Sequence, residues 1–135
     1  MNGWIDADEC ARRYRQINEF ERMLAETGTT ILKFYLNISK AEQKKRLEER
    51  RDTLAKQWKF QPADLAARAQ WDDYMRACED ALSATSTEHA PWHVIPANSK
   101  LARNLTVSRI LIETLEGLDM RYPPAPEGVE KTVID

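Results

Sequence analysis

Glycine is scarce: the 135 residues contain four, Gly3, Gly28, Gly117 and Gly128, and no two lie close enough to form one phosphate-wrapping loop. A G-x-x-x-x-G-K-[ST] cradle, in which successive backbone N–H groups and a lysine hold a transferable phosphate, is therefore missing from this chain. Cysteine is scarcer still. Cys10 and Cys78 have no second Cys or His at metal-ligand spacing, so the pattern offers neither a disulfide framework nor a zinc site, and both are expected to pack as small hydrophobes. Of the two histidines, His93 falls on an apolar segment with no nucleophile at a recognisable spacing, which reads as packing rather than catalysis. No run approaches the roughly 18 apolar residues of a membrane span, and Met1 to Cys10 has no charged-then-apolar leader pattern. A cytoplasmic protein with no membrane partner is expected.

What is abundant is charge, and it is unevenly placed. Between Lys40 and Lys59 eight basic residues (Lys40, Lys44, Lys45, Arg46, Arg50, Arg51, Lys56, Lys59) face four acids (Glu42, Glu48, Glu49, Asp52). That stretch is +4 in a chain of net charge −2, so the remainder is −6. Concentrated Arg and Lys favour an anionic ligand, since Arg offers a bidentate fork to phosphate and Lys a point charge. Arg46 and Arg50 lie one helical turn apart and repel unless an anion or an acid from elsewhere sits between them. The salt-bridged alternative is carried by the pairs Lys44 with Glu48 and Lys45 with Glu49, at the i,i+4 spacing of a solvated helix face. Trp58 and Phe60 interleave with Lys56 and Lys59, a pattern also found in single-strand binding. A sequence pI near 5.8 and a single such cluster argue against a nucleic-acid partner.

In chain order, Asp6 and Glu9 have capping-box spacing, and Cys10, Tyr14, Ile17, Phe20 and Leu24 recur helically until Gly28. Thr29 to Ile38 is β-branched and aromatic, as suits a parallel strand covered on both faces. Ser39 with Glu42 starts the basic helix directly from that strand. Pro62 opens a short helix through Ala69. Trp71, Tyr74, Met75, Cys78 and Leu82 give the next helix a core face, with Asp72 and Asp73 at its dipole-favoured start. Trp92 to Ile95 reads as a second strand ended by Pro96. The loop Pro96-Ala97-Asn98-Ser99 leads into a long helix carrying Leu101, Leu105, Leu111, Ile112, Leu115 and Leu118. Residues 123–135, rich in proline, are expected to form a flexible tail.

The blocks LKFYLNISKAEQKKRLEERRDTLAKQWKFQPADL, RAQWDDY and HAPWHVIPANSKLARN, in that order, resemble the C-terminal half of the polyphosphate kinase 2 family, which exchanges phosphoryl groups between inorganic polyphosphate and nucleotides. The resemblance runs from about Trp4 to about Tyr122. It implies an α/β fold, the C-terminal part of a three-layer P-loop kinase similar to nucleoside monophosphate kinases, with two recognisable parallel strands and about five helices. It also implies a lid over about residues 46–73. Within it Arg46, Arg50, Arg51, Lys56 and Lys59 would meet phosphate, and Trp58, Asp72 and Asp73 would support it. Ala97 and Asn98 would lie at the nucleotide base, and Mg²⁺ would serve the complete enzyme with no metal ligand and no catalytic residue in this chain. Two positions depart from the family pattern: Thr53, where a proline usually follows the arginine run, and Gln61, where Ser or Asn usually precedes the lid proline.

The implied partners are polyphosphate and nucleotides such as ADP or AMP. Two parallel strands expose backbone edges and do not make a stable sheet alone. The expectation is a C-terminal portion of a longer kinase, self-associating into a homo-oligomer. The competing expectation is a non-catalytic polyanion-binding or oligomerising module lacking the P-loop.

Overall fold

The computed structural model describes residues 5–131; Trp4, where the resemblance begins, and residues 132–135 of the expected tail lie outside them. Helix α1 spans Ala7–Glu26, and the Asp6 carboxylate accepts the Glu9 N–H at 2.7 Å, one half of the expected capping box, while the Glu9 carboxylate turns instead to Arg12 and Arg13. At the other end Gly28 adopts a positive φ of 89°, its N–H reaching Ala25 O and the Thr29 N–H reaching Leu24 O. This pair of bonds closes the last turn, and only glycine takes that backbone without strain.

Strand β1, Lys33–Asn37, is shorter than the apolar run that contains it. It pairs in parallel with β2, Trp92–Pro96, in the register Lys33 with Trp92 through Asn37 with Pro96. Between the strands come α2 (Lys40–Asp52), a short 3-10 helix (Leu54–Lys59), α3 (Pro62–Ala69) and α4 (Trp71–Thr85), and β2 is followed by α5 (Lys100–Gly117). Side chains alternate across a strand. On one face Lys33 reaches α1 and α4, while on the other Phe34 and Leu36 line a groove against Arg103 and Val107 of α5. The fold is therefore three layers, α1 and α4 on one side of the sheet and α5 on the other. His93 packs against Phe34 with ring centroids 5.4 Å apart, the packing role expected of it.

The inner layer is tied by one polar cluster. Lys33 Nζ donates to Glu21 at 2.7 Å and to the Thr85 carbonyl at 2.6 Å, and lies 5.1 Å from the Trp92 ring. Trp92 Nε1 donates to Thr85 Oγ1, which donates to Ala81 O, so two helices and both strands meet around one ammonium. Cys10 and Cys78 are half-buried free thiols. The pKa of Tyr14 is pushed up to about 12 by its hydrogen bond with Cys10, reinforced by burial.

Much apolar surface stays in water. Ile17, Phe20 and Met23 of α1 and Leu101, Leu105, Ile112 and Leu115 of α5 are exposed, whereas the buried apolar residues are Leu47, Ala90, Ile95 and Ala97. Apolar side chains exposed in this number on α1 and on α5 lead to an expectation of association. Sedimentation of the purified chain should accordingly show concentration-dependent association; a sharp, concentration-independent monomer would count against it. After α5 residues 119–128 are irregular, and a short 3-10 turn, Val129–Lys131, closes the described chain.

Candidate anion-binding site

The basic helix leaves the carboxyl end of β1 at once because Ser39 caps it, its hydroxyl accepting the Glu42 N–H at 3.1 Å. Ser99 caps α5 in the same way at the end of β2, accepting the Ala102 N–H at 3.3 Å. Both helix N-termini, each the positive end of its dipole, thus stand at the carboxyl end of a parallel sheet, where α/β folds take ligands. Between them lies an open cleft of about 460 Å³ bordered by Asn37, Ser39, Pro96, Ala97, Asn98 and Ser99.

The two parts singled out in the sequence, basic helix and strand-to-helix loop, are joined here. Asn98 Oδ1 accepts the Ser39 N–H at 2.9 Å. Arg46 donates through Nη2 to the carbonyls of Ala97 at 2.7 Å and Asn98 at 3.2 Å, and through Nε to Glu42 at 2.8 Å. Arg46 is thereby spent on fixing the loop. Ala97 is 1 % exposed, so its side chain anchors the loop from below, while Asn98 is exposed.

The other predicted lid cations follow Leu47, the buried apolar residue of α2, along the chain. Arg50 reaches Asp64 of α3 across 3.7 Å, with side chains 43 % and 38 % exposed. Arg51 forks onto Asp52 at 2.6 and 3.0 Å, which raises the Arg51 pKa and holds Asp52 below the usual carboxylate range through that hydrogen bond. Lys56 bonds Glu49, whose pKa is lowered first by that hydrogen bond and then by the Lys56 charge. The expected Lys45 with Glu49 pair is thus displaced by a partner from the following 3-10 helix, while Lys44 and Glu48 do approach, at 3.8 Å. Lys59 sits 5.0 Å over the Trp58 ring, and Trp58 is 78 % exposed with Nε1 on Ala55 O.

The repulsion anticipated between Arg46 and Arg50 is relieved by separate acids, Glu42 and Asp64. Asp72 and Asp73 stand in the first turn of α4, and Asp73 pairs with Arg76 of its own helix. The acid from outside α2 that meets a lid arginine is Asp64, which sequence reasoning missed because nothing periodic links α2 to α3. Arg68 was missed for the same reason. Its Nη1 donates to Lys40 O at 2.7 Å and Gln43 Oε1 at 2.9 Å, fastening α3 back along α2.

Both departures from the family pattern fall at joints. Thr53 links α2 to the 3-10 helix and its N–H donates to Glu49 O at 3.1 Å, a bond that proline could not make. Gln61 holds the N-cap position of α3 without a side-chain cap, where Ser or Asn would supply one. Among the described residues no group of three or more His, Cys, Asp or Glu side chains is arranged to hold a metal ion.

Comparison with known proteins gives this geometry its context. An AMP/ADP-polyphosphate phosphotransferase of Meiothermus ruber is 59 % identical over 124 residues, covering 92 % of this chain and 46 % of that protein. An ADP-polyphosphate phosphotransferase of Rhodopseudomonas palustris is 46 % identical, over 91 % of this chain and 43 % of its own length. The crystal structure of polyphosphate kinase 2 from Arthrobacter aurescens TC1 superposes with a TM-score of 0.92 at 53 % identity, over 96 % of this chain and 46 % of that one. The chain therefore spans about half the length of these two relatives. The family model for Polyphosphate kinase 2 matches residues 1–123, and the chain belongs to that family of phosphotransferases.

Proposed function

We propose that this chain forms the lid-and-base-loop half of an enzyme that moves phosphoryl groups between inorganic polyphosphate and nucleoside mono- or diphosphates. The observation that carries the reading is the join just described: Asn98 on Ser39 and Arg46 on Ala97 and Asn98 make the basic helix and the base loop one rigid unit at the carboxyl ends of both strands. In this reading Arg50, Arg51, Lys56 and Lys59 neutralise phosphate charge. Arg46 serves that site by orienting the loop, Trp58 braces Lys59, and Asp72 and Asp73 favour the start of the helix behind the lid. Ala97 and Asn98 shape the surface that meets the base. Closure of these elements over the phosphates would exclude water, so that the phosphoryl group passes to a nucleotide instead of being hydrolysed. Mg²⁺ would neutralise charge on the phosphates, held by groups other than the described ones, and a cytoplasmic setting fits such substrates.

A second reading, a non-catalytic polyanion-binding or oligomerising module, draws support from the apolar faces of α1 and α5 left in water. The first reading, and the polyanion-binding form of the second, require an anion site on the lid. Changing Arg50 and Lys59 together to Ala should weaken polyphosphate binding, measured by titration calorimetry, while the thermal transition moves little, because exposed charges contribute about 0–1 kcal/mol to stability. Binding should also fall steeply with added salt as counterions are no longer released to advantage. The matched change of Arg12 and Arg15 to Ala on α1 removes the same net charge elsewhere. Equal weakening by the two doubles would mean that attraction is merely global and would end the lid assignment.

A further inference from the structure

Four of the five predicted lid cations already have a carboxylate beside them: Arg46 has Glu42, Arg50 has Asp64, Arg51 has Asp52 and Lys56 has Glu49. Glu42, Asp52 and Glu49 all belong to α2, so their pairs follow from local spacing along and just beyond one helix. Asp64 is different, because it comes from α3 and crosses from one arm of the lid to the other. Its contact is also loose. At 3.7 Å, with both side chains near 40 % exposed, the Arg50 pair lies beyond hydrogen-bonding reach, whereas Arg46 is held at 2.8 Å to its acid and by two carbonyls besides. Of the two arginines on this side of α2, Arg46 is fastened and Arg50 is exchangeable.

We propose that Asp64 is a built-in competitor for the anion position of Arg50, occupying it until a multivalent phosphate chain displaces the carboxylate, and so sets the threshold of anion charge at which the lid is engaged. The proposal rests on the lid reading above. Its physical basis is that an anion meeting Arg50 alone must replace one carboxylate with one phosphate, a near-even exchange. A linear polyphosphate that displaces Asp64 from Arg50 would extend toward the other proposed lid cations, Lys56 and Lys59, and its later contacts would form at high effective concentration once the first is made. Single phosphates are thereby held off at concentrations where the polymer binds. The acids beside Arg51 and Lys56 add to the same threshold, since Asp52 and Glu49 are both held below the usual carboxylate range and stay charged at neutral pH.

The test is Asp64→Asn, which keeps the shape of the side chain at the start of α3 and removes its charge, with binding of tripolyphosphate and of long-chain polyphosphate read by calorimetry and folding by the thermal transition. Affinity for tripolyphosphate should rise by up to about fivefold, the range that an exposed ion pair allows. The gain should disappear, for either chain length, when Arg50→Ala is already present, because no arginine then waits to be released. Glu88→Gln, the same change of charge in the exposed turn before β2, should leave both affinities unaltered. A fall in affinity with D64N would mean that Asp64 orients Arg50 for the ligand, and an equal rise with E88Q or in the Arg50→Ala background would mean that net charge alone is at work; each overturns the proposal. An unchanged D64N beside a wild-type chain that binds polyphosphate strikes this proposal only, while a wild-type chain and D64N that both fail to bind strike the lid reading itself.

Discussion

Replacing Lys33 with Ala is expected to lower the stability of the fold by about 3–5 kcal/mol, the cost of breaking a buried ion pair by removing one partner. The side chains of Lys33 and Glu21 are 9 % and 13 % exposed, so water does not take over when the ammonium is lost. The change also orphans the Thr85 carbonyl and empties the space beside the Trp92 ring. A domain has only about 5–15 kcal/mol in total, so the variant should lose most of its margin and show a much lower denaturant midpoint. Removing both charges is a different matter. Glu21→Leu combined with Lys33→Met leaves no uncompensated charge and restores apolar volume, and buried pairs replaced in that way are often neutral or better. The double variant should therefore unfold near the wild-type midpoint. If Lys33→Ala alone stays within about 1 kcal/mol of wild type, a value typical of exposed pairs, the cluster is wet and this account of the inner layer is wrong.

The chain by itself is expected to transfer no phosphate between polyphosphate and ADP or AMP at a rate above a mock preparation. Such transfer is almost entirely positioning and electrostatic stabilisation, and it draws on a cradle of backbone N–H groups, a lysine aimed into it and carboxylates that hold Mg²⁺. The four glycines are scattered through the sequence, and among the described residues no carboxylate cluster is arranged around a cation. The proposed lid cations would bind and orient phosphate, but the described residues offer no such cluster to stabilise the charge of the transferring unit. Enzymes of this kind gain many orders of magnitude from those groups together, so the expected loss is complete within the sensitivity of a coupled assay. Turnover that requires Mg²⁺ and vanishes when Arg50 and Lys59 become Ala would show that the lid needs fewer companions than the chemistry suggests. Binding of polyphosphate without turnover is the outcome consistent with the proposed role.

The local elements were legible in the sequence because their causes are local. Asp6, Ser39 and Pro62 each begin a helix where their spacing predicts, and Gly28 ends one, since caps and turn residues act within four positions of themselves. The parallel reading of β1 followed from its β-branched and aromatic content, although the strand proved shorter because Ile31 and Leu32 are half-buried without joining the ladder. The concentration of charge on α2 was equally plain, being a matter of composition. Which acid each cation meets was decided by the tertiary structure alone. Lys45 lost Glu49 to Lys56 because the 3-10 helix folds back on α2, and Arg50 found Asp64 because Arg68 fastens α3 alongside. Arg46, a lid cation by the family resemblance, reaches the Ala97 and Asn98 carbonyls because β1 and β2 pair in register and bring the starts of α2 and α5 together. Lys33 offered no signal at all, since a lysine opening an apolar strand looks like its solvent-facing end until two helices close over it. Capping and periodicity are short-range and survive in one dimension, whereas the partner of a long charged side chain depends on which surfaces the strands and helices bring within a few ångströms.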